Sequence, residues 1–312
     1  MNQTFKRINE ERVLFFDLEV ARKSKELEVD SKEFELYQKK IRNKETEELL
    51  PDLEVVEEYR KKAALKMGYT KIVSIGVGFI KGEELHIKAL EGTEEELIQQ
   101  FCKIANSFDY VCGVNILGYD LPITVNNGMK YFDMTEILSD RFITSGKKPW
   151  NLDRVLDLMD IFKGTHYSNS SLDELCFHFG IESPKSDLDG SKVSEEYWTN
   201  GVVKINKYVK QDVFASANLF KKMRFEKVFE DFIDKSGNDN FEIKKNAISK
   251  LYDNTNFPKE LKEEFIKSLV NLTDEDRENS KKIILAHYQK KGDRAAVKKE
   301  KEKEVNDFIN SI

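Results

Sequence analysis

The sequence is poor in the residues that build disulfide-framed or zinc-clamped folds. It has 3 cysteines and 4 histidines in 312 residues. Cys102, Cys112 and Cys176 are odd in number and show no CxxC spacing. That excludes a disulfide frame and a structural zinc site, and fits reduced, buried thiols in a cytosolic protein. His86, His166, His178 and His287 are scattered, so any metal would be held by oxygen ligands, which favours Mg or Mn over zinc. Glycine (15) and proline (5) are scarce and show no period, which excludes collagen-like and linker classes. No stretch of about 18 apolar residues is present, so no membrane helix is expected. The first residues, MNQTFKRINEERVLFF, lack the cleavage site of a signal peptide, so a cytoplasmic protein is expected. A surplus of positive charge is missing as well: 57 acidic side chains face 51 basic ones, for a net charge of −6. That argues against nucleic-acid binding by bulk positive charge and leaves open phosphate binding through metal ions.

What is present is a core. The chain has 21 phenylalanines and 11 tyrosines, which disordered chains avoid. The length suits one large domain or two small ones. Residues 13–20, VLFFDLEV, read as a buried strand. Residues 22–67 are charged and helix-rich and break at Pro51, like two surface helices inserted after that strand. Segments 71–80 and 84–90 read as a hairpin about Lys81-Gly82. Thr93 and Glu96 form a capping box for a helix over 93–107, with an apolar stripe of Leu97, Ile98, Phe101 and Ile104. A short strand is expected at 109–114, then a helix or turn near Gly118. Residues 154–162 fit a strand or a short helix, and the period does not decide. Ser171 and Glu174 cap a helix to 179, and 202–222 form a strong amphipathic helix. The texture changes at about 236, after which three to four polar helices are expected. Within 281–303, nine basic residues face three acidic ones. This segment reads as a solvated helical face, or alternatively as a basic patch for nucleic acid or a partner.

The chemistry is carried by carboxylates. Asp17 and Glu19 are two apart on the first strand, so they point to the same face, at what reads as its end. Two adjacent acids in an apolar setting repel each other and resist loss of water, a conflict that a divalent cation removes. Asn115 and Asp120 follow the 109–114 strand, one at its end and one a turn later. Tyr208 and Asp212 stack at i and i+4 on one helix face, where a phenol beside a carboxylate can orient water.

Together these elements are more specific than apart. The pattern DxE, N-x3-(F/Y)-D and Y-x3-D, with about 100 residues between successive elements, resembles the tyrosine subclass of the DEDD superfamily of 3′–5′ exonucleases. The histidine subclass would need His where Lys207 stands. Within that superfamily, WNLDRVLDLMDIF (150–162), SLDELCFHFGIESPKSDLDGSKV (171–193) and YVKQDVFASANLF (208–220) are similar to predicted exonucleases related to the proofreading domain of family B DNA polymerases. Such proteins occur in bacteria and tailed phages, which places the expected cytoplasm in a bacterial cell or phage-infected host.

The resemblance implies an α/β, RNase H-like exonuclease fold, a mixed sheet flanked by helices, with an all-helical C-terminal extension. The expected exonuclease domain spans 1–235 with the insert at 22–67, and the charged extension spans 236–312. The resemblance also implies two divalent cations, Mg or Mn, roughly 4 Å apart. Asp17 would serve both, Glu19 and Asp212 one, and Asp120 the other. Tyr208 would position water, and Asn115 would contact the terminal nucleotide. Lys185 is a candidate phosphate contact. The implied reaction releases nucleoside 5′-monophosphates from a DNA 3′ end, single-stranded for preference, in replication or repair with or without a protein partner. The alternatives are an exoribonuclease trimming RNA ends and a non-catalytic nucleic-acid-binding scaffold. Asp157 and Asp160 read as strand-end hydrogen-bonding residues rather than ligands. Gly76-x-Gly78 is no phosphate loop, because no helix start with a third glycine or GK[ST] follows.

Overall fold

The computed structural model describes residues 3–41, 48–144, 153–166, 169–184 and 190–236. Lys185 and the expected helical extension beyond Ser236, with its basic 281–303 segment, lie outside the described residues.

A six-stranded mixed sheet forms the centre, in the order β5-β4-β1-β2-β3-β6. β1 (Val13–Arg22), β2 (Thr70–Lys81) and β3 (Glu84–Ala89) are an antiparallel meander, turned between β2 and β3 at Gly82 with φ +61. β4 (Tyr110–Gly113) pairs parallel to β1, and β5 (Val155–Asp157) parallel to β4. The two-residue β6 (Ile233–Asp234) closes the far edge on β3. This is an α/β sheet flanked by helices, consistent with the RNase H-like exonuclease fold.

The alternation of side chains along β1 sorts the two layers. Leu14, Phe16, Leu18 and Val20 pack under α3 (Glu94–Ala105) and α4 (Asp120–Gly128). Val13 and Phe15 face the other layer, α5 (Leu158–Lys163), α6 (Leu172–Phe179) and the long α8 (Val203–Met223). The expected boxes at Thr93–Glu96 and Ser171–Glu174 are both formed. Segment 154–162 resolves its ambiguity by being both: β5 ends at Asp157, whose carboxylate accepts the Met159 and Asp160 N–H groups and starts α5.

The insert holds the two expected helices, α1 (Lys32–Ile41) and α2 (Asp52–Lys62), with Pro51 at the N-cap of α2. They are more than surface helices. Phe34, Tyr37, Val55 and Tyr59 bury a small core of their own, with Tyr69 edge-on to Tyr37. A further helix, α7 (Val193–Asn200), carries no strong period in the sequence. The end of β1 holds it: Arg22, 2% exposed, donates to Glu195 Oε1 at 2.6 Å, and Trp198 Nε1 donates to the Arg22 carbonyl at 3.2 Å. Among the described residues no helix is long and apolar enough to cross a membrane.

Candidate active site

Asp17 and Glu19 lie inside β1, not at its end. The strand continues to Arg22, and the register shifts between Glu19 and Val20, where the pairing moves from Ser74 to Ile72. The period that aims Val13 and Phe15 at the α8 layer therefore aims both acids there too. Ala21, next on that face, packs against Ile205 of α8. The acids are thus bracketed by apolar contacts to one helix, and Glu19 is buried.

Asp212 comes from that helix. α8 lies close to β2 because β2 offers no side chain there. Gly76 stands opposite Asp17, and Gly78 opposite Phe15. A Cβ on Gly76 would meet the Val209 carbonyl oxygen and Val213 Cγ2, each at 3.0 Å. On Gly78 it would meet Val213 Cγ1 at 2.8 Å. The Gly-x-Gly is thus a flat seat for α8. The helix is also pinned one turn earlier, where buried Ser74 donates to Asn206 Oδ1 at 2.7 Å. The result is that Asp17, Glu19 and Asp212 each place a carboxylate oxygen within 4.8 Å of the other two.

Asp120 arrives from the other layer and is not part of that trio. β4 pairs with β1 only as far as Phe15. Beyond it, the Leu18 N–H donates to Asp120 Oδ1 at 3.1 Å. Asp120 starts α4 after a tight loop in which Asn115 takes φ +62, a left-handed conformation that asparagine tolerates. The backbone of Asn115 is anchored by Asp157, while the residue itself is exposed.

Among the described residues, the electrostatics are those of acids short of positive charge. Loss of water raises the Asp17 carboxyl well above the usual carboxylate range, and the charge of Asp120 adds to this. Glu19 is raised for the same reason, with Asp17, Asp212 and Asp120 adding to it. Asp120 is pushed up to about 8 by desolvation, against the opposing pull of the Leu18 N–H. Asp212 is pushed up to about 9, by desolvation and then by Asp17, while a hydrogen bond with Tyr208 lowers it. The Tyr208 hydroxyl is raised by burial and by the charges of Asp212, Glu19 and Asp17, so it stays a neutral phenol. Asp212 Oδ1 is buried and has no hydrogen-bond partner among the described residues. Unpaired buried oxygens are costly, and a hard cation with oxygen ligands fits this donor set.

The structure therefore gathers Asp17, Glu19, Asp212 and Tyr208, sets Asp120 beside them on Leu18, and places Asn115 on the loop before Asp120. Sequence reasoning left four contributing residues without a role. Gly76 and Gly78 seat α8, but the only trace in the sequence is two small residues at strand period. Tyr119, next to Asp120, has its hydroxyl raised by desolvation and by Asp120, Glu19 and Asp17, which places a second phenol near the acids. Asp173 of α6 accepts from Ser183 at 2.6 Å, and its charge raises Asp212.

A family model described as a predicted 3′–5′ exonuclease related to the exonuclease domain of PolB matches residues 62–267. The match starts at the end of α2, so β1 with Asp17 and Glu19 precedes it. The pairing of β1 with β2 and the seating of α8 bring those two acids to the matched segment. No curated protein matches the chain.

Proposed function

The chain belongs to the predicted 3′–5′ exonucleases related to the exonuclease domain of PolB, and we propose that it hydrolyses DNA from the 3′ end at the Asp17–Glu19–Asp212 cluster with two divalent cations, Mg or Mn. The observation that carries this reading is the trio itself. Three carboxylates meet within 4.8 Å, and Asp212 Oδ1 is left without a partner among the described residues.

Asp17 has the central place: it shares a strand face with Glu19, its charge raises Glu19 and Asp212, and the charge of Asp120 raises it. It is the ligand proposed to serve both ions, with Glu19 and Asp212 completing one site and Asp120 supporting the other. Bound cations supply positive charge against the scissile phosphate and draw the pKa of water toward neutrality. Tyr208 keeps its proton over the working pH range, so its hydroxyl can hold water in line beside Asp212. Asn115, exposed before Asp120, is the proposed contact to the terminal nucleotide. Lys185 remains a proposed phosphate contact. The product is a nucleoside 5′-monophosphate, and a single-stranded DNA 3′ end is the proposed substrate.

The test uses 3′-labelled and 5′-labelled DNA and RNA with Mg²⁺, Mn²⁺ or EDTA, beside Asp212→Ala. Stepwise shortening from the DNA 3′ end, lost in EDTA and in the variant, is expected. Shortening of RNA alone would replace DNA by RNA as the substrate. Binding without shortening, indifferent to metal, would overturn the enzyme in favour of a scaffold.

A further inference from the structure

Asp157 contacts none of the proposed ligands directly, yet it holds the segment that delivers one of them. It stands at the end of β5, 2% exposed, directly across from Gly113. Its Oδ1 accepts the Asn115 N–H at 2.9 Å and its Oδ2 accepts the Leu117 N–H at 2.9 Å. The same Oδ1 accepts the Met159 N–H at 3.1 Å and the Asp160 N–H at 3.4 Å, capping α5. One carboxylate therefore ties a helix start to the two backbone amides on either side of Ile116.

Those amides belong to the tightest piece of chain near the site. Asn115 sits at φ +62, one of two non-glycine residues with positive φ among the described residues. Gly113 before it has no room for a side chain, since a Cβ would lie 2.6 Å from the Phe16 carbonyl oxygen on β1. At Gly118 after it, an added Cβ would lie 2.6 Å from Asn115 Oδ1. Two residues later Asp120 accepts the Leu18 N–H. A left-handed residue between two close approaches holds its shape only if its amides are fixed. The fixing group is a buried carboxylate with four backbone donors, a stronger acceptor than a neutral side chain.

We propose that Asp157 is a positioning residue for Asp120, fixing the 113–120 loop so that the Asp120 carboxylate reaches the cluster on β1. This rests on the reading of Asp120 as a cation ligand. The α5 cap is a separable, purely structural duty, and that separation makes the idea testable.

Two variants of the full chain divide the duties. Asp157→Ser retains an oxygen able to cap α5 and is too short to reach the loop amides. Asp157→Asn keeps the Oδ1 contacts and turns an amide N–H against the Leu117 N–H. Mn²⁺ binding is measured by calorimetry, and amide exchange at Leu117 and Leu18 by NMR. Outer-shell partners of metal ligands change affinity by about 10–100-fold when removed. Asp157→Ser should therefore bind Mn²⁺ about tenfold more weakly, with faster exchange at both amides, and Asp157→Asn should fall between it and wild type. Activity on labelled DNA should recover in both variants as Mn²⁺ is raised. Folded variants with wild-type Mn²⁺ affinity and wild-type exchange at Leu18 overturn the proposal. If Asp157→Ser does not fold, Asp157→Asn decides by the same two readings. Wild-type protein that binds no Mn²⁺ and cuts no nucleic acid overturns the functional reading instead, and exchange at Leu18 then still decides whether Asp157 sets Asp120.

Discussion

Adding one methyl group to the flat seat under α8 should damage both stability and the acid cluster, in a pattern that two double mutants can resolve. In Gly78→Ala the new Cβ meets Val213 Cγ1 at 2.8 Å, and an ordinary contact begins near 3.4 Å. The neighbour must yield by about 0.6 Å in a core that is close-packed. Overpacking of this kind costs about 1–3 kcal/mol. The alanine also stiffens the unfolded chain, which offsets about 0.4–1 kcal/mol. For a unit of this size the net should lower Tm by about 2–8 °C. Val213→Ala alone removes two buried methyl groups, worth about 1.6 kcal/mol in transfer, plus the cavity left behind. Together the two changes should cost less than their sum, by about 1–2 kcal/mol, because the new methyl takes space that the valine gave up. Gly76→Ala should be rescued less. Val213→Ala relieves one of its 3.0 Å contacts, but the Val209 carbonyl oxygen, backbone of α8, remains at 3.0 Å. Gly76 also stands opposite Asp17, so this variant should weaken Mn²⁺ binding more than Gly78→Ala does. Urea unfolding of the single and double variants supplies both cycles, and calorimetry supplies the Mn²⁺ affinities. Additive costs in the Gly78 cycle, or a Gly76→Ala protein with unchanged stability and Mn²⁺ affinity, would refute the seat.

Cation binding should stabilise the protein more as pH rises. The cluster carboxyls, with Asp212 at about 9, hold protons that the unfolded chain sheds near its ordinary pKa of about 4. Their contribution to the stability of cation-free protein is therefore full below about pH 4 and is lost as pH climbs through the folded values. Cations need the ionised acids, so the Tm gap between Mn²⁺ and EDTA should widen from pH 5.5 to 8.5, and a gap that narrows contradicts the assignment. Asp212→Asn should raise Tm in EDTA at pH 8 by about 2–10 °C, because it removes a buried group that resists ionisation, and should abolish the Mn²⁺ gain. An unchanged Mn²⁺ gain in that variant would remove Asp212 from the ligand set. Glu94→Gln tests the opposite layer. The buried Glu94 carboxylate accepts from the Ile72 N–H, Asn127 Nδ2 and the Tyr131 hydroxyl at 2.7–2.8 Å. Its loss should cost about 1.5–3 kcal/mol in urea unfolding and leave Mn²⁺ affinity alone.

The parts of the site legible in the sequence are those fixed by local period. DxE on a strand places two acids on one face whatever the strand packs against, and Y-x3-D places a phenol over an acid on any helix. What those faces meet is not a local property. Asp17 and Asp212 are brought together by Gly76 and Gly78, over a hundred residues from α8, and nothing near the glycines distinguishes a helix seat from a bulge or a turn. The same limit makes β1 read from sequence as ending at its acids. Two carboxylates inside an apolar strand look like its exit to water, unless a helix already covers that face with Ala21 against Ile205 beyond them. α7 fails in the sequence for a related reason. Its hold is a guanidinium buried at the end of β1, so its helical period is short and its stability is tertiary. The insert misleads in the other direction, because its lysines and glutamates hide an aromatic centre of Tyr37 and Tyr59.

The acidic balance of the whole chain points the same way. A net charge of −6 says little by itself, since most of the 57 acids are ordinary surface groups. Position decides. Four carboxyls, Asp17, Glu19, Asp120 and Asp212, are packed together and desolvated so that each is raised above its ordinary pKa. A fold that kept them only for stability would gain by replacing them with apolar or amide side chains. Their cost in cation-free protein is therefore an argument for a cation, and hence for an anionic substrate that meets positive charge at this cluster rather than over a broad surface. The Asp212→Asn experiment puts that argument at risk directly. A variant no more stable than wild type in EDTA would mean that the cluster carries no penalty for a cation to relieve.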